Sequence, residues 1–313
     1  MTTTRDLDGK LVAVIGGTGF LGTHLAQHLL ARGARVRVGG RHPEKAFSIK
    51  PLGNLGATQM VAVDVRKPDS VRVALTGVDA VVNLVGAFAG DLDAVQGAGA
   101  GRVAAMARDA GARAFVQVSA IGADAHSPVA YARTKAEGEA AVLAAFPDAV
   151  IVRPSILFGS DDHFLTMFAG LMRMPVLPVF APEAKLQPLD VDDAARAIGN
   201  VLAANGTHAG KTFEIAGPEV LTMLALNKRI ARATGRSPLL LGLPDAASKL
   251  IAAMPLTPIS KDQLALLMKG NVASGALPGV RELGIQPRPL DLLLERWLVT
   301  YRKHGRFGSR ATA

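Results

Sequence analysis

The stretch "VIGGTGFLG", Val14–Gly22, decides the fold. It places Gly16, Gly19 and Gly22 at G-x-x-G-x-x-G spacing, after the apolar run Lys10–Ile15 and before "THLAQHLLARG" (Thr23–Gly33), which has helical spacing. Strand, glycine turn and helix is the order that a dinucleotide's diphosphate requires. Gly16 permits the tight turn, and Gly19 lets the backbone approach the diphosphate at the positive end of the helix. Gly22 lets helix and strand pack closely. A loop that merely needs positive φ would use glycines too, but this triplet has a strand before it and a helix after it.

Working outward, apolar segments alternate with helical ones. Strands are expected at Arg35–Val38, Ala57–Val65, Val78–Gly86, Arg113–Ala120 and Asp148–Ser155, with an Ala-rich helix at Gly99–Ala112 and another around Tyr131. Near-continuously apolar strands separated by helices of about 10–15 residues predict an α/β fold with a doubly wound parallel Rossmann sheet. After Ser155 prolines become frequent, and helical stretches (Asp192–Asn205, Leu224–Gly235) alternate with short strand candidates such as "KTFEIA" (Lys211–Ala216). The expected division is a nucleotide-binding domain over 1–158 and a smaller, mainly helical, substrate-type domain over 159–313. The chain is expected to revisit the first domain near 187–200.

The end of the second strand bears on the cofactor. An Asp or Glu there would bind the ribose hydroxyls of NAD(H). The chain instead reads "VRVGGRHPEK", so Arg41 suits a 2′-phosphate, with Lys45 as a second cation, and NADP(H) is favoured over NAD(H). A solvated surface arginine is the other reading. Asp64 and Val65, closing the third strand, are placed to bracket an adenine, and Asn83–Gly86, with Val85 and Gly86, to pass under a ribose.

Tyr131 and Lys135 in "YARTK" are four apart and share one helix face. An ammonium beside a phenol favours phenolate and lowers its pKa. Tyr131 is therefore a candidate acid/base for a substrate oxygen while a nicotinamide carries hydride.

"GGTGFLG", "DV" at 64–65, "YARTK" and "RPSILFG" (Arg153–Gly159) together resemble a short-chain dehydrogenase/reductase of the extended or atypical kind. Val118–Phe164, with "QPLDVDDAA" (Gln187–Ala195) and "FEIAGPEVLT" (Phe213–Thr222), further resembles the nucleotide-binding accessory subunit family of respiratory complex I and its epimerase-like bacterial relatives. The resemblance runs from about residue 10 to about residue 300. It implies tightly held NADPH, a structural or sensory role for the cofactor, and respiratory-complex subunits as partners. An active reductase, or a nucleotide-sugar epimerase or dehydratase using Tyr131 and Lys135, is the alternative. Carried over by motif, the cofactor residues are Gly16, Thr18, Gly19, Phe20, Leu21, Gly22, Arg41, Asp64, Val65, Val85, Gly86, Ser119, Tyr131, Lys135, Pro154 and Ser155. Active extended members place a hydroxyl two residues past the first serine after strand five, and that position is Ile121 here. Ser119 is then the remaining hydroxyl candidate, and the oxyanion partner is weakened.

The bulk numbers agree with a packed globular protein: 313 residues, 49% hydrophobic and 19% charged. No cysteine is present, so disulfides and thiolate metal sites are excluded. The net charge is +9, part of it in "YRKHGRFGSR" (Tyr301–Arg310), which carries Arg302, Lys303, Arg306 and Arg310 and no acid. That tail reads as solvated, or as facing an anionic membrane surface or an acidic partner. Aromatic residues make up 4% and do not interleave with a basic stripe, which argues against nucleic acid. The N-terminus lacks an apolar signal, and Thr166–Pro182 is too short and proline-rich to span a bilayer. A cytoplasmic protein is expected, at most peripheral at the inner face of a membrane.

Three further clusters read as structural. His24 and His28 lack the glutamate of a zinc helix. "SDDHF" (Ser160–Phe164) is a polar loop or helix cap, and Asp192 and Asp193 are helix-capping residues. Asp190 remains open to either substrate binding or capping.

Overall fold

The structure, a computed structural model, describes residues 5–252, 259–302 and 305. Through Pro154 the elements are β1 (Leu11–Ile15), α1 (Phe20–Ala31), β2 (Arg35–Gly40), β3 (Thr58–Ala62), α2 (Pro68–Leu75) and β4 (Ala80–Asn83). Then come α3 (Leu92–Gln96), α4 (Ala98–Asp109), β5 (Ala114–Val118), α5 (Ala130–Ala145) and β6 (Val150–Pro154). Beyond them lie β7 (Leu157–Phe158), α6 (Phe164–Leu171), β8 (Val176–Val179), β9 (Lys185–Leu186), β10 (Leu189–Asp190), α7 (Val191–Ala203) and β11 (Thr212–Ile215). The chain continues through β12 (Leu221–Thr222), α8 (Met223–Thr234), β13 (Leu239–Gly242), α9 (Asp245–Ala252), α10 (Lys261–Lys269) and α11 (Leu290–Trp297).

By internal packing the chain forms two units. The first comprises Met1–Pro154, Val191–Ile215 and Ser274–Gln286. It holds a seven-stranded parallel sheet in the order β11-β6-β5-β4-β1-β2-β3. β1 and β4 are buried throughout because helices cover both faces of a doubly wound sheet. On one face Ala13, Ile15, Val81, Phe115 and Ile151 pack with Ala100, Val103, Ala104, Ala107 and Val142 from α4 and α5. Small residues let those helices close tightly. A Cβ on Gly101 would lie 2.7 Å from Ala141 Cβ, and one on Gly138 would lie 2.0 Å from the Gln96 carbonyl oxygen.

"KTFEIA", expected in the smaller domain, supplies the seventh strand: β11 pairs in parallel with β6. A second return, Ser274–Gln286, is tied to the same unit. Glu214 accepts from the Ser274 N–H (2.6 Å), its own N–H donates to the Pro278 carbonyl (3.0 Å), and Asn200 Nδ2 donates to the Leu283 carbonyl (2.8 Å).

The second unit comprises Ser155–Asp190, Ala216–Ala273 and Pro287–Ala313. It is mainly helical, with three two-stranded pairings: β7 with β10, β9 with β12, and β8 with β13. Its core gathers Phe158, Leu165, Met172, Leu186, Leu226, Ile230, Leu264 and Leu294. The basic tail lies mostly outside the described residues. Among those described, no helix is long and apolar enough to cross a membrane.

Candidate functional site

The glycine turn is held from below by β2: the Gly16 and Gly17 N–H groups both donate to the Gly39 carbonyl, at 2.8 and 3.0 Å. Gly16 has φ +82, and a Cβ there would press on the Leu84–Val85 backbone at 3.2 Å. Gly22 seats α1 on the turn, since its Cβ would lie 2.5 Å from Gly17 Cα. Thr18 packs against Gly40, where a Cβ would meet Thr18 Oγ1 at 2.5 Å. A Cβ on Gly17 would lie 2.7 Å from the Val14 carbonyl oxygen, so Gly17 and Gly40 are as constrained as Gly16 and Gly22. α1 begins at Phe20 with no acid in its first turn, so its free N–H groups and dipole are open to an anion. Leu21 is half-buried beside Gly22, and Phe20 makes an edge contact with His24.

Arg41 follows β2 directly. It is exposed, and among the described residues its guanidinium has no hydrogen-bond or ion-pair partner. Lys45 is also exposed.

β3 ends at Ala62, short of the expected Val65, because the chain turns into local bonds. Asp64 takes both its carboxylate oxygens to Arg66, from Nε at 2.9 Å and Nη2 at 2.6 Å, and accepts the Arg66 N–H. The Arg66 guanidinium holds the Asp64 carboxyl down at about 2. Val65 is a core residue, so only its backbone is free to face a ligand.

β4 likewise ends at Asn83, whose side chain accepts the Val85 N–H (3.3 Å) and donates to buried Gln117 (2.9 Å). Val85 and Gly86 then meet Lys135, which enters from α5. Its buried Nζ donates to the carbonyls of Val85 (3.4 Å) and Val118 (3.3 Å). Burial pulls the Lys135 ammonium down to about 8, against the opposing pull of Glu139 one turn on. Glu139 is itself clamped by Arg153 through two bonds of 2.9 and 2.6 Å, and Arg153 also reaches Glu214 at 3.7 Å.

Tyr131 departs from expectation. Its pKa is pushed up to about 12 by burial, not lowered. The Phe88 ring lies flat on it, with centroids 4.4 Å apart and planes at 12°, and the Lys135 ammonium stands 5.9 Å from the ring centroid, turned to backbone carbonyls. Desolvation is the cause of that rise.

Ser119, next to Val118, is buried, and among the described residues nothing hydrogen-bonds its hydroxyl. The Ile121 N–H donates to the Pro154 carbonyl (3.0 Å). Gly16, Val85, Gly86, Ser119, Tyr131 and Lys135 thus form one connected group at the carboxyl ends of β1, β4 and β5. Thr18 and Arg41 adjoin it at the end of β2. Ser155 belongs to the second unit, where its Oγ donates to the Gln187 carbonyl at 2.6 Å.

The sequence reading missed Gln96. Its buried side chain accepts the Ala87 N–H (3.0 Å) and donates to Thr134 Oγ1 (2.9 Å) and the Tyr131 carbonyl (3.4 Å). It also missed Phe88 and Arg66.

The three further clusters make these contacts. His24 meets Asp192 at 2.5 Å, and His28 stands beside Arg32 at 3.4 Å. Asp162 accepts the Leu165 N–H at the start of α6, Asp193 pairs with Arg196, and Asp190 pairs with Arg288. No cluster of His, Asp and Glu among the described residues could hold a metal.

The glycine cradle, the acid-free helix start and an orphaned buried hydroxyl fit a nicotinamide dinucleotide, and define an NAD(P)H-binding protein of Rossmann type. The NAD(P)H-binding family matches residues 16–164. A crystal structure of Citrobacter sp. triphenylmethane reductase complexed with NADP(H) shares the fold, with a TM-score of 0.73 at 20% identity, covering 91% of this chain and 99% of that one. The mitochondrial NADH dehydrogenase [ubiquinone] 1 alpha subcomplex subunit 9 of Rattus norvegicus is 32% identical over 300 residues, 91% of this chain and 79% of the relative. The chain belongs to the family of that subunit. A ceramide reductase from Caulobacter vibrioides is 35% identical over 190 residues, 59% of this chain and 58% of its own.

Proposed function

We propose that the chain binds NADP(H) in preference to NAD(H) and retains it as a structural or redox-sensing element, while docking on respiratory-complex subunits or an anionic membrane surface. The observation that carries the retained role is the state of the Tyr131–Lys135 pair. The phenol is raised to about 12 under Phe88, and the ammonium is committed to two backbone carbonyls. Such a pair holds a ribose better than it delivers a proton.

Gly16, Thr18, Gly19, Phe20, Leu21 and Gly22 would cradle the diphosphate, with Arg41 on the 2′-phosphate and Asp64 and Val65 at the adenine. Val85 and Gly86 would pass under the ribose held by Tyr131 and Lys135, with Ser119 and Pro154 toward the nicotinamide. When bound, the group supplies a transferable hydride. Absence of an acid at the end of β2 supports the preference for a 2′-phosphate.

The test is identification of nucleotide released from the purified protein, then Kd for NADPH and NADH. The wild type should favour NADPH by roughly tenfold or more, and Arg41→Ala should erase that preference, which corresponds to about 1.4 kcal/mol. Equal affinities in the wild type would reject the NADP(H) reading.

The likeness to a ceramide reductase and the orphaned Ser119 hydroxyl favour a second reading. In it the chain is an active reductase, or a nucleotide-sugar epimerase or dehydratase, with Tyr131 as proton donor, Lys135 as its support and Ser119 on the substrate oxygen. Turnover of a carbonyl or sugar-nucleotide substrate that collapses in Tyr131→Phe, with dinucleotide binding intact, would establish it.

A further inference from the structure

Phe88 is an exposed large apolar residue in the loop between β4 and α3, 57% accessible, yet one face of its ring is fully engaged against Tyr131. The contact is built from below. Gln96 accepts the N–H of Ala87, the residue before Phe88, and through its Nε2 donates to the carbonyl of Tyr131 itself. One buried amide therefore fixes the loop and the helix turn in mutual register, and the two rings meet as a consequence. Gly86, where a Cβ would lie 3.0 Å from Lys135 Nζ, and Gly90 (φ +85) flank the stack.

A phenol gives its proton to a substrate oxygen only if that oxygen can reach it and the phenolate left behind is solvated or paired. Phe88 opposes both. It covers one ring face with hydrocarbon, next to an ammonium already spent on Val85 and Val118. Glu139, one turn on from Lys135, is itself clamped by Arg153.

We propose that Phe88 is an aromatic cap on Tyr131 that keeps the phenol out of proton transfer, so that a bound dinucleotide is retained rather than oxidised. Phe88 is thus a positioning residue acting through Tyr131. The proposal rests on the retained-cofactor reading above and supplies its physical cause. With the cap removed, a planar dicarbonyl would take hydride from the nicotinamide onto carbon and the Tyr131 proton onto oxygen. The products are a hydroxyketone and the oxidised dinucleotide, and water restores the proton to Tyr131.

The experiment uses the full-length protein in a Tyr301→Phe background, which leaves Tyr131 as the one tyrosine. Alkaline titration of tyrosinate absorbance, without dinucleotide, should show a midpoint near 12 in the parent. In Phe88→Ala it should fall by about one to two units toward the free-phenol value of about 10. Phe88→Trp, which keeps the stack, should titrate like the parent. Loaded with NADPH and given phenanthrenequinone, Phe88→Ala should oxidise the cofactor at least about tenfold faster than the parent, a change of about 1.4 kcal/mol in barrier. Adding Tyr131→Phe should cancel the gain. An unshifted titration in Phe88→Ala overturns the cap. If no variant, nor the wild type, binds NADPH, the functional reading fails instead, and the titration still judges the cap on its own.

Discussion

Replacing Lys135 with methionine should stabilise the dinucleotide-free protein while weakening dinucleotide binding. The ammonium is 5% exposed and its pKa falls from 10.5 to about 8, chiefly through burial. A shift of that size corresponds to about 3 kcal/mol of strain against folding at neutral pH. Methionine has similar length and fills the same space. It forfeits two long hydrogen bonds, 3.4 and 3.3 Å, which together are worth about 1 kcal/mol. The Val118 carbonyl keeps its bond from Gln117 Nε2 (3.1 Å), so the loss falls mainly on Val85. The net expectation at pH 7 is a gain of about 2 kcal/mol. Between the folded value of about 8 and the unfolded value of 10.5, the unfolded chain holds the extra proton. Wild-type stability therefore rises with pH in that window, and the variant lacks this rise. Urea unfolding of both proteins from pH 7 to pH 9.5 should show the gap between them narrowing by about 2 kcal/mol. Parallel curves, or a variant less stable than the wild type at pH 7, would show that the buried ammonium does not strain the fold.

Three further outcomes follow from the geometry. His28 is held at about 4, down from 6.5, by burial and then by Arg32 and Arg196. Its contribution to stability is complete above pH 6.5 and lost as pH falls toward 4, by about 2 kcal/mol after allowance for its partial exposure. His28→Gln should flatten that limb of the acid unfolding curve. Arg153→Met would strand Glu139 and Glu214, 7% and 6% exposed, and should cost about 3–5 kcal/mol in urea unfolding. Gly138→Ala places a methyl 2.0 Å from the Gln96 carbonyl oxygen and should cost about 1–3 kcal/mol or more, with lost exchange protection concentrated in α3 and α5.

The parts of the fold that the sequence made legible are those whose cause is local. The glycine turn, α1 and the strands through β6 follow from spacing and periodicity within windows of a dozen residues. β11 was not legible as a strand of the main sheet, because "TFEI" is four residues long and its partner β6 lies far back in the chain. Parallel pairing leaves no hairpin signal to connect two such segments. The early ends of β3 and β4 had local signals that length alone obscured. In "DVRKPDS" an Asx turn from Asp64 to Arg66 and a proline opening α2 already argue against a strand running through Val65.

The chemistry of Tyr131 shows why a residue pair can be placed by spacing and still be misjudged in character. Tyr131 and Lys135 share a helix face by simple geometry, and proximity of a cation predicts a more acidic phenol. The structure reverses that sign because the ammonium is anchored by Val85 and Val118 and the ring is covered by Phe88. Those partners come from the loop after β4 and from the last residue of β5, remote in sequence and assembled only by the sheet. Charge proximity is written in the helix, whereas desolvation is written in the packing around it. Where the two oppose, burial of both groups decides the outcome here, for Lys135 downward and for Tyr131 upward. A pair driven in those directions moves away from the shared proton that acid/base catalysis needs. Restoring catalysis, if the cap is its obstacle, should then require opening the Phe88 contact rather than adding a further charge.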